Sequence, residues 1–167
     1  MIRPEDPLGR LAREVGARLA ARGWMLATAE SCTGGAVAEA ITAIAGSSGW
    51  FERGFVTYSN AAKIELLGVA PLTLERHGAV SQAVAREMAL GALSHSRAEV
   101  ALSITGIAGP DGGTPEKPVG TVCFGWAWKR DRPQVRSERR NFAGDRIAVR
   151  AQAVRTALAG VLALCRP

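Results

Sequence analysis

The chain has 167 residues, 47% of them hydrophobic and 22% charged, with a formal net charge of +6. Such a length and balance fit a single folded domain over residues 1–167 and exclude a disordered chain. Its apolar runs are too short to cross a bilayer. The N-terminus carries Glu5, Asp6 and Glu14 and has no apolar stretch of a secretory or transit signal, so a cytoplasmic protein is expected.

Leu8, Leu11, Val15 and Leu19 share a helical face and predict an opening helix that stops near Gly23. Trp24 to Ala27 reads as a short buried strand running into Thr28-Ala29-Glu30-Ser31-Cys32-Thr33-Gly34-Gly35. Residues 33–45 read as a helix packed through alanines, Val37, Ile41 and Ile44, and residues 46–49 as a loop. Phe55 to Tyr58 reads as a second strand, with Asn60 capping a short helix from Ala61 to Leu67. Gly68 to Gly78 is a connection around Pro71 with room for one helical turn. Ser81 caps a small-residue helix that runs to Ser96, and Val100 to Ile104 is a third strand. Val119 to Trp128 and Val135 to Phe142 form an antiparallel pair. Ile147, Val154, Leu158, Val161 and Cys165 line one face of a closing helix. This order predicts an α/β fold, a three-layer α/β/α sandwich with a mixed sheet.

Three separated cysteines and two isolated histidines suggest neither a disulfide framework nor a metal site. The positive charge suits an anionic ligand such as a phosphorylated metabolite, and equally weak nonspecific attraction to nucleic acid. Of 21 basic residues only Lys63, Lys117 and Lys129 are lysines, the basic type that can give up its proton.

Three stretches can carry chemistry. The first places Ser31 and Cys32 before Gly34 and Gly35 at an expected helix start. There the amides of Thr33, Gly34 and Gly35 could cradle an anion or oxyanion. In extended chain Ser31 and Cys32 point opposite ways and would not share one cavity. The plain alternative is that Ser31 or Thr33 only caps the helix. The second is Tyr58-Ser59-Asn60-Ala61-Ala62-Lys63. A lysine in a first helical turn opposes the macrodipole, which lowers its pKa and makes it a competent base. Its alternative is an exposed lysine beside a core tyrosine. The third is the glycine- and proline-rich loop after Thr105 and Gly106, whose amides could form a phosphate nest. Asp111 in that loop reads as a turn residue, and Lys129 to Arg140 as a solvated basic hairpin. Arg146 could hold a phosphate, or Asp145 could simply cap the last helix.

Together AESCTGG (29–35), VTYSNAAKIELLGV (56–69), GAVSQAVAREMALGA (78–92), SITGIAGPDGGTPEKPVGTV (103–122) and FAGDRIAVRAQAV (142–154) resemble the CinA C-terminal domain family. Its enzymatic members are nicotinamide mononucleotide amidases. The resemblance implies a stand-alone amidase domain that releases ammonia from the carboxamide of nicotinamide mononucleotide, in pyridine nucleotide recycling. It implies Ser31 as nucleophile, Lys63 as base and Tyr58 assisting. Thr33, Gly34, Gly35, Asn60, Thr105, Gly106 and Arg146 are then the candidates for holding substrate. No metal or cofactor is called for, and no membrane or specific nucleic-acid partner. Alanine- and glycine-rich helix faces suggest a homodimer. The rivals are Cys32 as nucleophile, its thiol activated by a helix N-terminus, and a non-catalytic nucleotide-binding module linked to competence or DNA damage.

Overall fold

The computed structural model describes residues 3–165. In chain order its elements are α1 (Pro7–Ala20), β1 (Leu26–Glu30), α2 (Ala36–Thr42), β2 (Phe51–Val56), α3 (Asn60–Leu67), α4 (Pro71–His77), α5 (Gln82–Ser94), β3 (Val100–Gly106), β4 (Thr121–Trp128), β5 (Gln134–Asn141) and α6 (Arg146–Leu164). A 3-10 turn occupies Ser47–Gly49. The strands form one sheet in the order β2-β1-β3-β4-β5. β1 runs parallel to both neighbours, whereas β4 is antiparallel to β3 and β5.

The two faces of the sheet follow from the alternation of side chains along a strand. Leu26, Val100, Leu102 and Ile104 join a core with Val15 and Leu19 of α1, Ile41 of α2 and Leu158 of α6. Their sequence neighbours Ala27, Ala29 and Ala101 face the other way, against Val84, Met88 and Ala89 of α5. The sheet therefore has helices on both sides, the expected three-layer arrangement with a mixed sheet.

The second face is made almost wholly of small residues, and that sets how deep α5 sits. Ser103 Oγ donates to the carbonyl of Ala85 at 2.5 Å. A Cβ on Gly125 would strike that carbonyl and come within 2.6 Å of Ser103 Oγ. The small-residue helix faces thus pack inside the chain: Ala85, Ala89 and Ala92 are fully buried. A homodimer would have to use other surfaces than these. α6 is long and apolar enough by composition to cross a membrane, contrary to the sequence expectation. Its apolar residues Val149, Val154, Leu158 and Val161 are spent on the core instead.

Several boundaries differ from those expected. β1 lies at Leu26–Glu30 rather than residues 24–27, since even its polar Thr28 and Glu30 are buried. α2 starts at Ala36 rather than residue 33, because Gly34 and Gly35 take positive φ values of 59° and 97° and turn the chain first. β2 is earlier, at Phe51–Val56. The connection around Pro71 contains a full short helix, α4. Ser81 and Asp145 cap α5 and α6 as expected, accepting from Val84 N at 3.2 Å and Ala148 N at 2.9 Å.

Gly125→Ala should lower the free energy of unfolding by about 2 kcal/mol, because neither the Ala85 backbone nor the Ser103 hydroxyl can retreat from the added methyl. Chemical denaturation followed by circular dichroism measures it. An unchanged midpoint would mean that α5 can lift off the sheet freely.

Candidate active site

Strands β2, β1 and β3 are parallel, so their C-terminal ends lie along one edge of the sheet, where α/β folds place their sites. β1 ends at Glu30 and delivers Ser31, whose amide donates to Ile104 O at 3.0 Å. β2 leads into Thr57 and Tyr58 and then α3, which carries Lys63. β3 ends at Thr105 and Gly106.

The cap of α3 is Ser59 rather than Asn60: its side chain accepts from Ala62 N at 3.0 Å. Lys63 still lies in the first turn, but its side chain runs inward and the residue is only 1% exposed. Its Nζ donates to Thr57 O at 2.9 Å, Tyr58 O at 3.3 Å and Ser31 Oγ at 3.1 Å. Burial lowers the pKa of this amine below the ordinary 10.5, with the neighbouring Cys32 pulling less strongly the other way. Two carbonyls can accept only N–H bonds. Once Lys63 is neutral, its two N–H groups stay with Thr57 O and Tyr58 O, and its lone pair is left facing the Ser31 hydroxyl. The expected serine–lysine pair is therefore in contact.

The pair opens into a pocket of about 210 Å³. Ser31, Lys63, Tyr58, Asn60, Thr105, Gly106 and Arg146 all line it. Seven of the ten expected site residues thus meet in one cavity. Ala79, Val80 and Ala108 also contribute to the wall. These carry no chemical signal in the sequence and are brought in only by the segment leading into α5 and by the glycine-rich loop. Thr105 Oγ1 donates to Ala79 O at 2.8 Å, fixing that wall to β3. A Cβ on Gly106 would come within 2.8 Å of Val122 Cγ2, 3.0 Å of the Thr121 carbonyl and 3.1 Å of Cys32 Sγ, so a side chain there would crowd the site.

Tyr58, expected to assist the pair, does not reach it with its hydroxyl. The residue is 62% exposed, and its hydroxyl accepts from Arg146 at 3.2 Å. Only its backbone carbonyl touches Lys63. Arg146 also donates to Gly109 O at 2.9 Å, pinning the glycine-rich loop beside the pocket. That loop is largely bonded to itself and its surroundings, through Gly120 N to Ile107 O at 2.8 Å and Lys117 Nζ to His77 O at 2.6 Å. It is a wall held in place more than an open nest.

The expected cradle at Thr33, Gly34 and Gly35 also needs correction. Gly34 N is taken by Ser31 O at 3.0 Å, and Gly35 N by Glu30 Oε2 at 3.1 Å. Neither glycine has a free amide for a substrate. Among the described residues, no carbonyl or carboxylate takes the amides of Cys32 and Thr33, so the open donors lie one residue earlier than expected. Neither Ser31 nor Thr33 caps α2: the Thr33 hydroxyl is buried without a partner, and the helix receives no side-chain cap from its own first residues. Arg150 of α6 holds this turn from behind, donating to Thr33 O at 2.8 Å. Sequence reading passed over Arg150 and assigned Glu30 no role.

Ser31 and Cys32 do line the same pocket, because both sit in a turn rather than in extended chain. Their chemistry separates them. Burial pushes the Cys32 thiol up to about 11, against the opposing pull of its own amide and Arg150. The helix that was expected to activate it starts four residues later, at Ala36.

A buried amine in contact with a serine hydroxyl, at the C-terminal edge of parallel strands, defines a serine–lysine site on an α/β scaffold. The family model for the CinA C-terminal domain matches residues 8–165, and the chain belongs to that family. Over 149 residues it is 62% identical to the nicotinamide-nucleotide amidohydrolase PncC of Enterobacter agglomerans, covering 89% of this chain and 90% of that protein. The protein of the same name from Escherichia coli (strain K12) is 58% identical over 154 residues, 92% of each chain. The crystal structure of the competence/damage inducible protein CihA from Agrobacterium tumefaciens aligns with a TM-score of 0.94 at 45% identity, covering 99% of both chains.

With a thiol pKa near 11, roughly one Cys32 in a thousand is thiolate at pH 8, so iodoacetamide should leave it unmodified in the folded protein. Peptide mass spectrometry against an unfolded control reads this directly. Rapid alkylation of Cys32 in the native state would restore it as a candidate nucleophile.

Proposed function

We propose that this protein hydrolyses the carboxamide of nicotinamide mononucleotide to nicotinate mononucleotide and ammonia, with Ser31 as nucleophile and Lys63 as general base. The observation that carries the mechanism is the 3.1 Å contact between Lys63 Nζ and Ser31 Oγ, with the other two directions of the amine held by carbonyls. The similarity to nicotinamide-nucleotide amidohydrolases along most of the chain supports the substrate. A nucleotide substrate also fits a cytoplasmic enzyme.

The reaction proceeds in two halves. Neutral Lys63 takes the proton of the Ser31 hydroxyl as Oγ attacks the carboxamide carbon. The oxyanion that forms meets the unpaired amides of Cys32 and Thr33, each donor worth about 3 kcal/mol of barrier. Lys63, now an ammonium, returns its proton to the amide nitrogen, the C–N bond breaks and ammonia leaves. In the second half Lys63 deprotonates a water that attacks the Ser31 ester, giving the nicotinate carboxylate and regenerating the serine. The proton passes directly between Ser31 and Lys63, since the Tyr58 hydroxyl is engaged with Arg146. Tyr58 and Asn60 at the pocket wall supply contacts to the nucleotide, and Arg146 supplies charge for its phosphate.

Purified protein should release ammonia from nicotinamide mononucleotide, and Ser31→Ala and Lys63→Met should each lower kcat by about 10³-fold or more. Cys32→Ala should keep turnover within about fivefold of wild type. Loss with Cys32→Ala and not with Ser31→Ala would overturn the nucleophile. Binding of the nucleotide without ammonia release would instead favour a regulatory nucleotide-binding module.

The base must be neutral to act, and burial lowers its pKa. The value of kcat/KM should therefore rise with pH through a midpoint below 10.5 and level off where Lys63 has lost its proton. Lys63→Arg, which cannot become neutral, should be inactive across that range. A profile flat from pH 6 upward would argue against Lys63 as the base.

A further inference from the structure

Glu30 is a carboxylate only 1% exposed, covalently next to Ser31, and it does not line the pocket. Nothing in the reaction uses it. Its bonds nevertheless reach both the start of α2 and the strand end that holds Lys63. Its Oε2 accepts from Gly35 N at 3.1 Å and Val37 N at 3.0 Å, and its Oε1 from Ala38 N at 2.9 Å. Its backbone carbonyl accepts from Thr57 N at 2.8 Å, and the carbonyl of that same Thr57 holds Lys63 Nζ at 2.9 Å.

We propose that Glu30 is a positioning residue for the reaction: its buried carboxylate clamps the start of α2 onto the end of β1 and so holds the intervening turn in the shape that aims Ser31 Oγ at Lys63. This rests on the serine–lysine reading above.

The physics favours a carboxylate here. The first turn of a helix leaves several N–H groups unpaired and carries partial positive charge. A charged acceptor makes stronger bonds to them than a neutral one, and two oxygens have enough lone pairs for all three amides. The cap comes from the preceding strand rather than from the residue before the helix, so it fixes the distance between strand end and helix start. Only five residues, Ser31 to Gly35, bridge that distance, two of them with positive φ. With both ends fixed, the turn has little freedom. The clamp also occupies the helix N-terminus, which closes it to any substrate anion and leaves the amides of Cys32 and Thr33 as the open donors. Glutamine in place of Glu30 would keep the shape but put an NH2 donor where one oxygen accepts, facing a backbone N–H.

The test compares kcat and KM for nicotinamide mononucleotide in Glu30→Gln and wild type, at a temperature where thermal melting shows both to be folded. The expected result is a fall in kcat of roughly 10- to 100-fold, with KM within about threefold, because substrate contacts are intact while the nucleophile is misaimed. A folded Glu30→Gln with wild-type kcat and only a lower Tm would overturn the proposal, since that is what a purely structural cap would give. A rise in KM alone would overturn it as well. If Glu30→Gln does not fold, Glu30→Asp, which keeps the charge but is one methylene shorter, takes its place with the same two outcomes. Ser31→Ala and Lys63→Met are measured alongside: turnover surviving in either overturns the serine–lysine reading itself, whatever the Glu30 variants do.

Discussion

The architecture of the site depends on a single uncomfortable placement, the amine of Lys63 inside the protein. An amine taken out of water must be surrounded by acceptors, or the fold loses more than it gains. Here the acceptors are two consecutive backbone carbonyls just past the end of β2, together with the Ser31 hydroxyl at the end of β1. Meeting that demand also sets the amine against the Ser31 hydroxyl. The hydrogen bonds that make the lysine tolerable as a buried group also leave a single direction for its lone pair.

That arrangement requires β1 and β2 to lie side by side and to end together, and the parallel pairing of the two strands provides it. It also requires the far wall of the pocket to come close. The sheet face of alanine, glycine and serine lets α5 descend until Ser103 bonds to the Ala85 carbonyl. The segment leading into α5 then brings Ala79 within reach of Thr105. Small residues that look in sequence like a surface for another subunit are the reason the pocket is narrow.

Ser31 and Cys32 show how differently two adjacent side chains can be surrounded. Both line the same cavity, at adjacent positions in one turn. The serine is given the amine of Lys63. The thiol is given burial, which raises its pKa to about 11, and the helix N-terminus that would have lowered it is already filled by Glu30. The difference is one of neighbours, since an exposed thiol at the same helix terminus would be the more reactive group.

Periodicity and caps marked most elements in the sequence, including α1, α5, α6, β3 and the β4–β5 pair, because apolar spacing and N-cap residues act locally. The chemical groups at Ser31, Lys63, Tyr58, Asn60, Thr105, Gly106 and Arg146 were visible for the same reason: each is a reactive, polar or conformationally unusual residue in a motif. The end of β1 was placed too early, at Ala27 instead of Glu30, since Thr28 and Glu30 are polar residues that a local rule excludes from a buried strand. The amides expected to be open at Gly34 and Gly35 are not free, because Ser31 O takes the first and the Glu30 carboxylate, five residues earlier in the chain, takes the second. The sequence by itself therefore determined which groups are available and which local elements carry them. Tertiary structure alone decided which of them touch, which amides stay open and which of the adjacent Ser31 and Cys32 meets the Lys63 amine, because burial and contact between distant segments set hydrogen-bond partners and pKa.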